Sequence, residues 1–192
     1  MTLLVLGLIL FLGAHSARIF AEGSRTALIG RLGPNGWKGA YSLVSAAGLV
    51  LLVWGYAQAR QAPVALWTPS VGLRHLASLL TLVSFVMLAA AYVPRNAIKA
   101  RLHHPMVLGV KVWALAHLLA NHTLADVVLF GSFLVWAVLC FRAARARDRS
   151  AGTTYPAGTA AGTVATVVVG LGAWAAFAFW AHQALVGVRP FG

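Results

Sequence analysis

The sequence predicts an all-α fold, a polytopic transmembrane helix bundle of about six helices with both termini outward, and three observations predict it. First, 60% of the 192 residues are hydrophobic and only 9% charged, with a mean hydropathy of +0.83, where a soluble domain carries about a quarter charged residues. Second, the chain divides into apolar runs near the roughly 20 residues that a helix needs to cross ~30 Å of hydrocarbon. Third, fifteen Lys and Arg face three acids, a net charge of +12, and the excess alternates between one set of connections and the other. Such a pattern sets topology and meets anionic membrane lipid. No basic and aromatic module for nucleic acid is visible, so the charge implies no nucleic-acid partner.

The spans run from Thr2 to Phe20, Gly39 to Gln58, Leu73 to Val93, Pro105 to Ala120, Leu124 to Phe141 and Gly162 to Val186. In the first, a small-residue AHSA follows the most apolar stretch, as a cleaved signal peptide would have, but no positive region precedes it, which favours a retained helix. Lys and Arg number 4 in residues 18–38, 3 in 94–104 and 4 in 142–161, against 0, 2, 0 and 1 on the alternate side. The loops around Arg25, Arg95 and Arg145 are therefore expected in the cytoplasm. Residues 1–192 are expected to form one domain, with a flexible linker over about 142–161, where SAGTTYPAGTAAGT is small and polar. Thr123 and Asp126 have the spacing of a capping box, which makes Asp126 structural rather than catalytic. The single cysteine, Cys140, lies in an apolar run without a partner for a disulfide or metal site.

The polar side chains inside the apolar runs are the candidates for function. The segment LHHPMVLGVKVWALAHLLANHTLAD, residues 102–126, holds four histidines and Lys111. At 100° per residue, His104, Lys111, Leu115, Leu118 and His122 share one stripe, and Gly109, Ala114, His117, Ala120 and Asn121 lie roughly opposite. A charge as deep as Lys111 costs about 2.5 to 3.5 kcal/mol unless it faces a cavity, the bundle interior or the interface. The small residues around His117 leave either a shallow surface for a flat macrocycle or a seam for tight helix packing. His15, among Gly13, Ala14, Ser16 and Ala17, is a second deep imidazole, with Arg18 one turn on. Two histidines from two helices can hold a b-type haem, and arginines can pair with its propionates. By helical rise His15 and His117 differ in depth by roughly 12 Å; His104 matches His15 better but occupies the other stripe. His75, His122 and His182 map to outer span ends, where a metal cluster competes with ordinary interfacial histidines.

These residues carry a resemblance. The HS after the first apolar run, GAYSLVSAAGLVLLVWGY, RHLA, and HHPMVLGVKVWALAHLLANHTLADVVLFGSFLVWA together resemble the NnrU family of bacterial membrane proteins. The likeness covers nearly the whole chain. It implies a multi-pass protein of the bacterial inner membrane, linked to nitrite and nitric oxide reduction and so to respiratory or denitrification proteins as partners. The family includes the zeta-carotene isomerase of plants and cyanobacteria, which binds haem b. That likeness implies His15 and His117 as axial ligands and haem-dependent isomerisation or redox chemistry on a lipophilic substrate; beside such a haem, position along the chain makes Asn121 and Lys111 the expected pocket groups and Arg18 the expected propionate partner. The isomerase has a cysteine three residues before its second histidine, where this chain has Ala114. A rival reading is a membrane methyltransferase using S-adenosylmethionine, because RLHHPMVLG is similar to the RHPxYxG motif, with Val107 in place of tyrosine. A third is a cofactor-free assembly scaffold.

Overall fold

The computed structural model describes residues 1–191. Its helices are α1 (Thr2–Phe20), α2 (Glu22–Ala59), α3 (Val71–Tyr92), α4 (Ala97–Leu102), α5 (Pro105–Ala120), α6 (Leu124–Ala151), α7 (Ala160–Ala176) and α8 (His182–Val186), with a π-helical turn, Phe177–Ala181, joining α7 to α8. No strand occurs among the described residues beyond isolated bridges. Five of the helical segments are long and apolar enough to cross a membrane, counting Ala160–Val186 as one, and α5 is a shorter apolar helix. The chain is a multi-pass membrane protein. It divides into two compact units: Met1–Thr68 with Asn121–Cys140, and Pro69–Ala120 with residues from Phe141 onward.

In the first unit α1 packs along α2 through glycine. A Cβ on Gly7 would lie 2.3 Å from the Leu52 nitrogen, one on Gly48 2.6 Å from that of Phe11, and one on Gly55 2.2 Å from that of Leu4. With no hydrophobic drive between helices in lipid, such close backbone approach supplies the packing. Leu4, Leu8 and Leu52 fill the seam. The expected connection over residues 18–38 is mostly helix, because α2 already starts at Glu22. The break falls at Gly33, whose φ of 71° and ψ of 165° belong to a region open essentially to glycine. Pro34 then restarts the helix, its fixed φ suiting a first turn.

Thr123 and Asp126 form the expected capping box. The Thr123 N–H donates to Asp126 Oδ2 at 2.8 Å and the Asp126 N–H to Thr123 Oγ1 at 3.2 Å. Tyr56 adds its hydroxyl to Asp126 Oδ1 at 2.6 Å. Short pairings from the Leu66 N–H to the His122 carbonyl and from the Leu124 N–H to the Val64 carbonyl hold the connection after α2 beside this cap.

In the second unit α3 packs on α5 and α7. Ser84, fully buried, donates to the Gly109 carbonyl at 2.8 Å. Gly170 lets α7 approach until a Cβ there would lie 2.6 Å from the Val86 Cα. Buried Asn96 joins α3 to α4 by donating to the Ala90 and Val93 carbonyls while accepting from the Lys99 N–H. The stretch 142–161, read from composition as a flexible linker, is helical to Ala151 and docked beyond it. The Thr159 N–H reaches the Arg95 carbonyl at 2.7 Å, and a Cβ on Gly158 would collide with the Ala97 nitrogen at 2.1 Å. The physical reason is that RAARAR is a strong helix-forming sequence even where its hydropathy has fallen.

Candidate functional site

His15 belongs to the first unit and His117 to the second, and each has a defined local setting. The His15 Nδ1 lies 2.7 Å from the Phe11 carbonyl. A carbonyl only accepts, so Nδ1 carries a proton, and the neutral form of the ring has its lone pair on Nε2. Phe11, Tyr41 and Trp136 surround this ring at centroid distances of 4.3, 5.3 and 6.2 Å. Beside it runs an open, mainly apolar groove of about 560 Å³, lined by residues of α1 and α6 including Gly13, Ser16, Gly131, Ser132 and Trp136. A Cβ at Gly13 or Gly131 would meet no atom within 4 Å. The Trp136 Nε1 is buried with no hydrogen-bond partner among the described residues, which leaves an unused donor beside the groove. Arg18 is exposed, one turn beyond His15.

His117 repeats the pattern. Its Nδ1 donates to the Trp113 carbonyl at 2.8 Å, and the Trp113 ring lies 4.9 Å away. The ring is half-buried, as are Lys111 and Asn121, which follows the last residue of α5. The small residues on this helix divide in role. Gly109 is taken up by the contact with α3, where a Cβ would press on the Ser84 carbonyl at 3.1 Å, so at that position helix packing replaces the expected surface for a macrocycle. Ala114 is fully buried.

Sequence reasoning missed a polar cluster in the second unit. Asp148 Oδ2 accepts from His104 Nε2 at 2.8 Å, the Tyr155 hydroxyl at 3.0 Å and Arg145 at 3.3 Å. Arg145 also donates to His103 Nδ1. Partial loss of hydration pushes the Asp148 carboxyl upward, but the bonds from His104 and Tyr155 and the nearby cationic side chains outweigh it and hold the group below its usual value. Loss of hydration and the bond to Asp148 both raise the Tyr155 hydroxyl. The available signal was scarcity: of only three acids in the chain, Asp126 and Asp148 each anchor a built polar site, while Glu22 makes an exposed pair with Arg25. His75, His122 and His182 make no metal cluster, since no group of three or more metal-ligating side chains converges among the described residues. His182 instead donates from Nδ1 to the Val188 carbonyl.

Neither the curated proteins nor the solved structures gave a match to the chain. A family model described as "NnrU protein" matches residues 3–190. With the match running from the first turn of α1 to the residues past α8, the chain belongs to the NnrU family.

Proposed function

We propose that this NnrU protein binds a b-type haem in the bacterial inner membrane, with His15 and His117 as axial ligands. The observation that carries the reading is the shared state of the two imidazoles. Each gives its Nδ1 proton to a carbonyl four residues earlier, which fixes the ring and places the lone pair on Nε2, as an outer hydrogen bond does for metal-ligating histidines. The surroundings of His15 fit a flat ligand: Gly13 and Gly131 leave open space, the groove has the size of small-molecule sites, and the Trp136 N–H awaits an acceptor. Arg18 would pair with a propionate, and Asn121 and Lys111 would be polar groups of the pocket.

When bound, the haem would supply a one-electron centre shielded from water. The chain's own residues would hold its ligands in one tautomer and admit a lipophilic substrate from the bilayer along the apolar groove. Isomerisation or redox chemistry on such a substrate, in a role tied to nitrite or nitric oxide reduction and its respiratory partners, completes the reading. Ala114 offers no sulfur ligand, so ligand exchange at that position is not part of it.

The test is an optical spectrum of the purified protein. A Soret band with sharp reduced α and β bands is expected, lost in His15→Ala and in His117→Ala. Retention of that spectrum in both variants overturns the ligand assignment. A colourless preparation that binds S-adenosylmethionine tightly would favour the methyltransferase reading, and one that binds neither would leave the scaffold.

A further inference from the structure

The turn between α4 and α5 holds its backbone in an unusual form. His103 has φ 66° and ψ −50°, and the His104 N–H reaches back to the Leu102 carbonyl at 2.8 Å. This is a γ-turn of the positive-φ kind, strained for any residue with a side chain, and such strain persists only where the surroundings enforce it. The enforcing contacts are two. The Tyr155 ring lies 4.2 Å from the His103 ring, and Arg145 donates to His103 Nδ1.

That second contact fixes a protonation state. A guanidinium has donors only and stays cationic at every accessible pH, so His103 can accept from it only as a neutral ring protonated on Nε2. A proton added at Nδ1 removes the acceptor and sets two cations in contact. The adjacent histidine responds in the opposite sense: His104 Nε2 already donates to the Asp148 carboxylate at 2.8 Å, and a proton added at its Nδ1 turns that bond into an ion pair. Arg145, once repelled, has Asp148 as its remaining partner at 3.3 Å.

We propose that His103, Arg145 and the Asp148 hub form a proton-operated latch, in which protonation of His103 releases the 102–104 turn from α6 while His104 and Asp148 tighten. The groups facing His103 are Arg145 from α6 and Tyr155 from the segment after it, and both of these bond Asp148, which also holds His104 of the same turn. On α4, Lys99 is engaged with the Ala91 carbonyl and Arg101 is exposed, and α7 brings no titratable side chain between Ala160 and Ala176. The element set free is the start of α5, whose first turn includes the Leu108 N–H bond to the His104 carbonyl. The latch rests on these contacts alone and does not depend on the haem reading.

Backbone hydrogen exchange of the full chain in lipid nanodiscs, corrected for intrinsic rate, tests it between pH 8 and 5, where imidazoles titrate. Protection of residues 101–108 should fall roughly ten-fold toward pH 5, while α3 and α7 hold theirs. His103→Gln keeps an acceptor for Arg145 and cannot titrate, so its protection should be independent of pH. His104→Gln should retain the acid loss, because His103 is intact. The proposal is overturned if wild-type protection is flat across the range, or if the loss persists in His103→Gln.

Discussion

At the scale of single residues, the three acids of the chain serve as fixed hydrogen-bond acceptors, and two of them make separable predictions. Asp126 is 5% exposed and accepts from Tyr56 and twice from Thr123. Asp126→Ala leaves those donors without an acceptor, each at about 1–3 kcal/mol, whereas Tyr56→Phe removes a single bond to a charged group and should cost about 1.5–3 kcal/mol. Thermal unfolding of both variants in one detergent checks the order, and a smaller loss in Asp126→Ala than in Tyr56→Phe would contradict the capping role. Asp148 acts through pH. Its carboxyl is held below the ordinary value, so the stability it lends is present above the usual carboxylate range and fades as pH falls through the native value. Asp148→Asn should therefore flatten the acid limb of a stability profile below about pH 4. The latch at His103 is read from backbone exchange of residues 101–108, so the two responses are told apart by what is measured.

At the scale of elements, glycine does two different jobs, and substitution should separate them. Gly55 sits where α1 and α2 touch backbone to backbone. Gly55→Val forces the helices apart and should cost at least the ~1–3 kcal/mol of an overpacked core, read as loss of monodisperse protein on size-exclusion chromatography. Gly13 meets nothing within 4 Å, so Gly13→Ala should gain up to ~1 kcal/mol of helix stability while narrowing the groove beside His15; equal damage from both variants would refute the distinction. The same elements show what a sequence reveals. The bounds of α1 and α5 coincide with their apolar runs, because Arg18 precedes the end of one and Pro105 opens the other. The helical stretch before Pro34 was hidden by glycines that usually punctuate loops, although only Gly33 takes a conformation that demands one. Past Phe141 hydropathy falls while helix propensity does not, so α6 outruns its apolar part. His15 and His117 were visible as residues, but their bonds to Phe11 and Trp113 depend on side-chain torsions that no spacing encodes. The His104 to Asp148 contact joins residues 44 apart, beyond the reach of any helical period.

At the scale of the whole molecule, the charge pattern predicts how the chain lies in its membrane. Eleven of the fifteen cationic side chains fall in residues 18–38, 94–104 and 142–161, and the structure makes all three segments partly helical without changing which spans they separate. Translocating such a segment carries a cost for each Lys or Arg, so the charge pattern predicts the basic set in the cytoplasm and residues 60–70 outside. Single cysteines introduced at exposed positions in a Cys140→Ala background read this directly. A membrane-impermeant maleimide added to intact spheroplasts should label Gln61→Cys, and should reach Asn35→Cys and Ser150→Cys only after the membrane is opened. Labelling of Asn35→Cys and Ser150→Cys from outside, with Gln61→Cys protected, would invert the orientation. Labelling of Asn35→Cys and Ser150→Cys from opposite sides would leave an odd number of crossings between them, and the six-span arrangement would then be wrong.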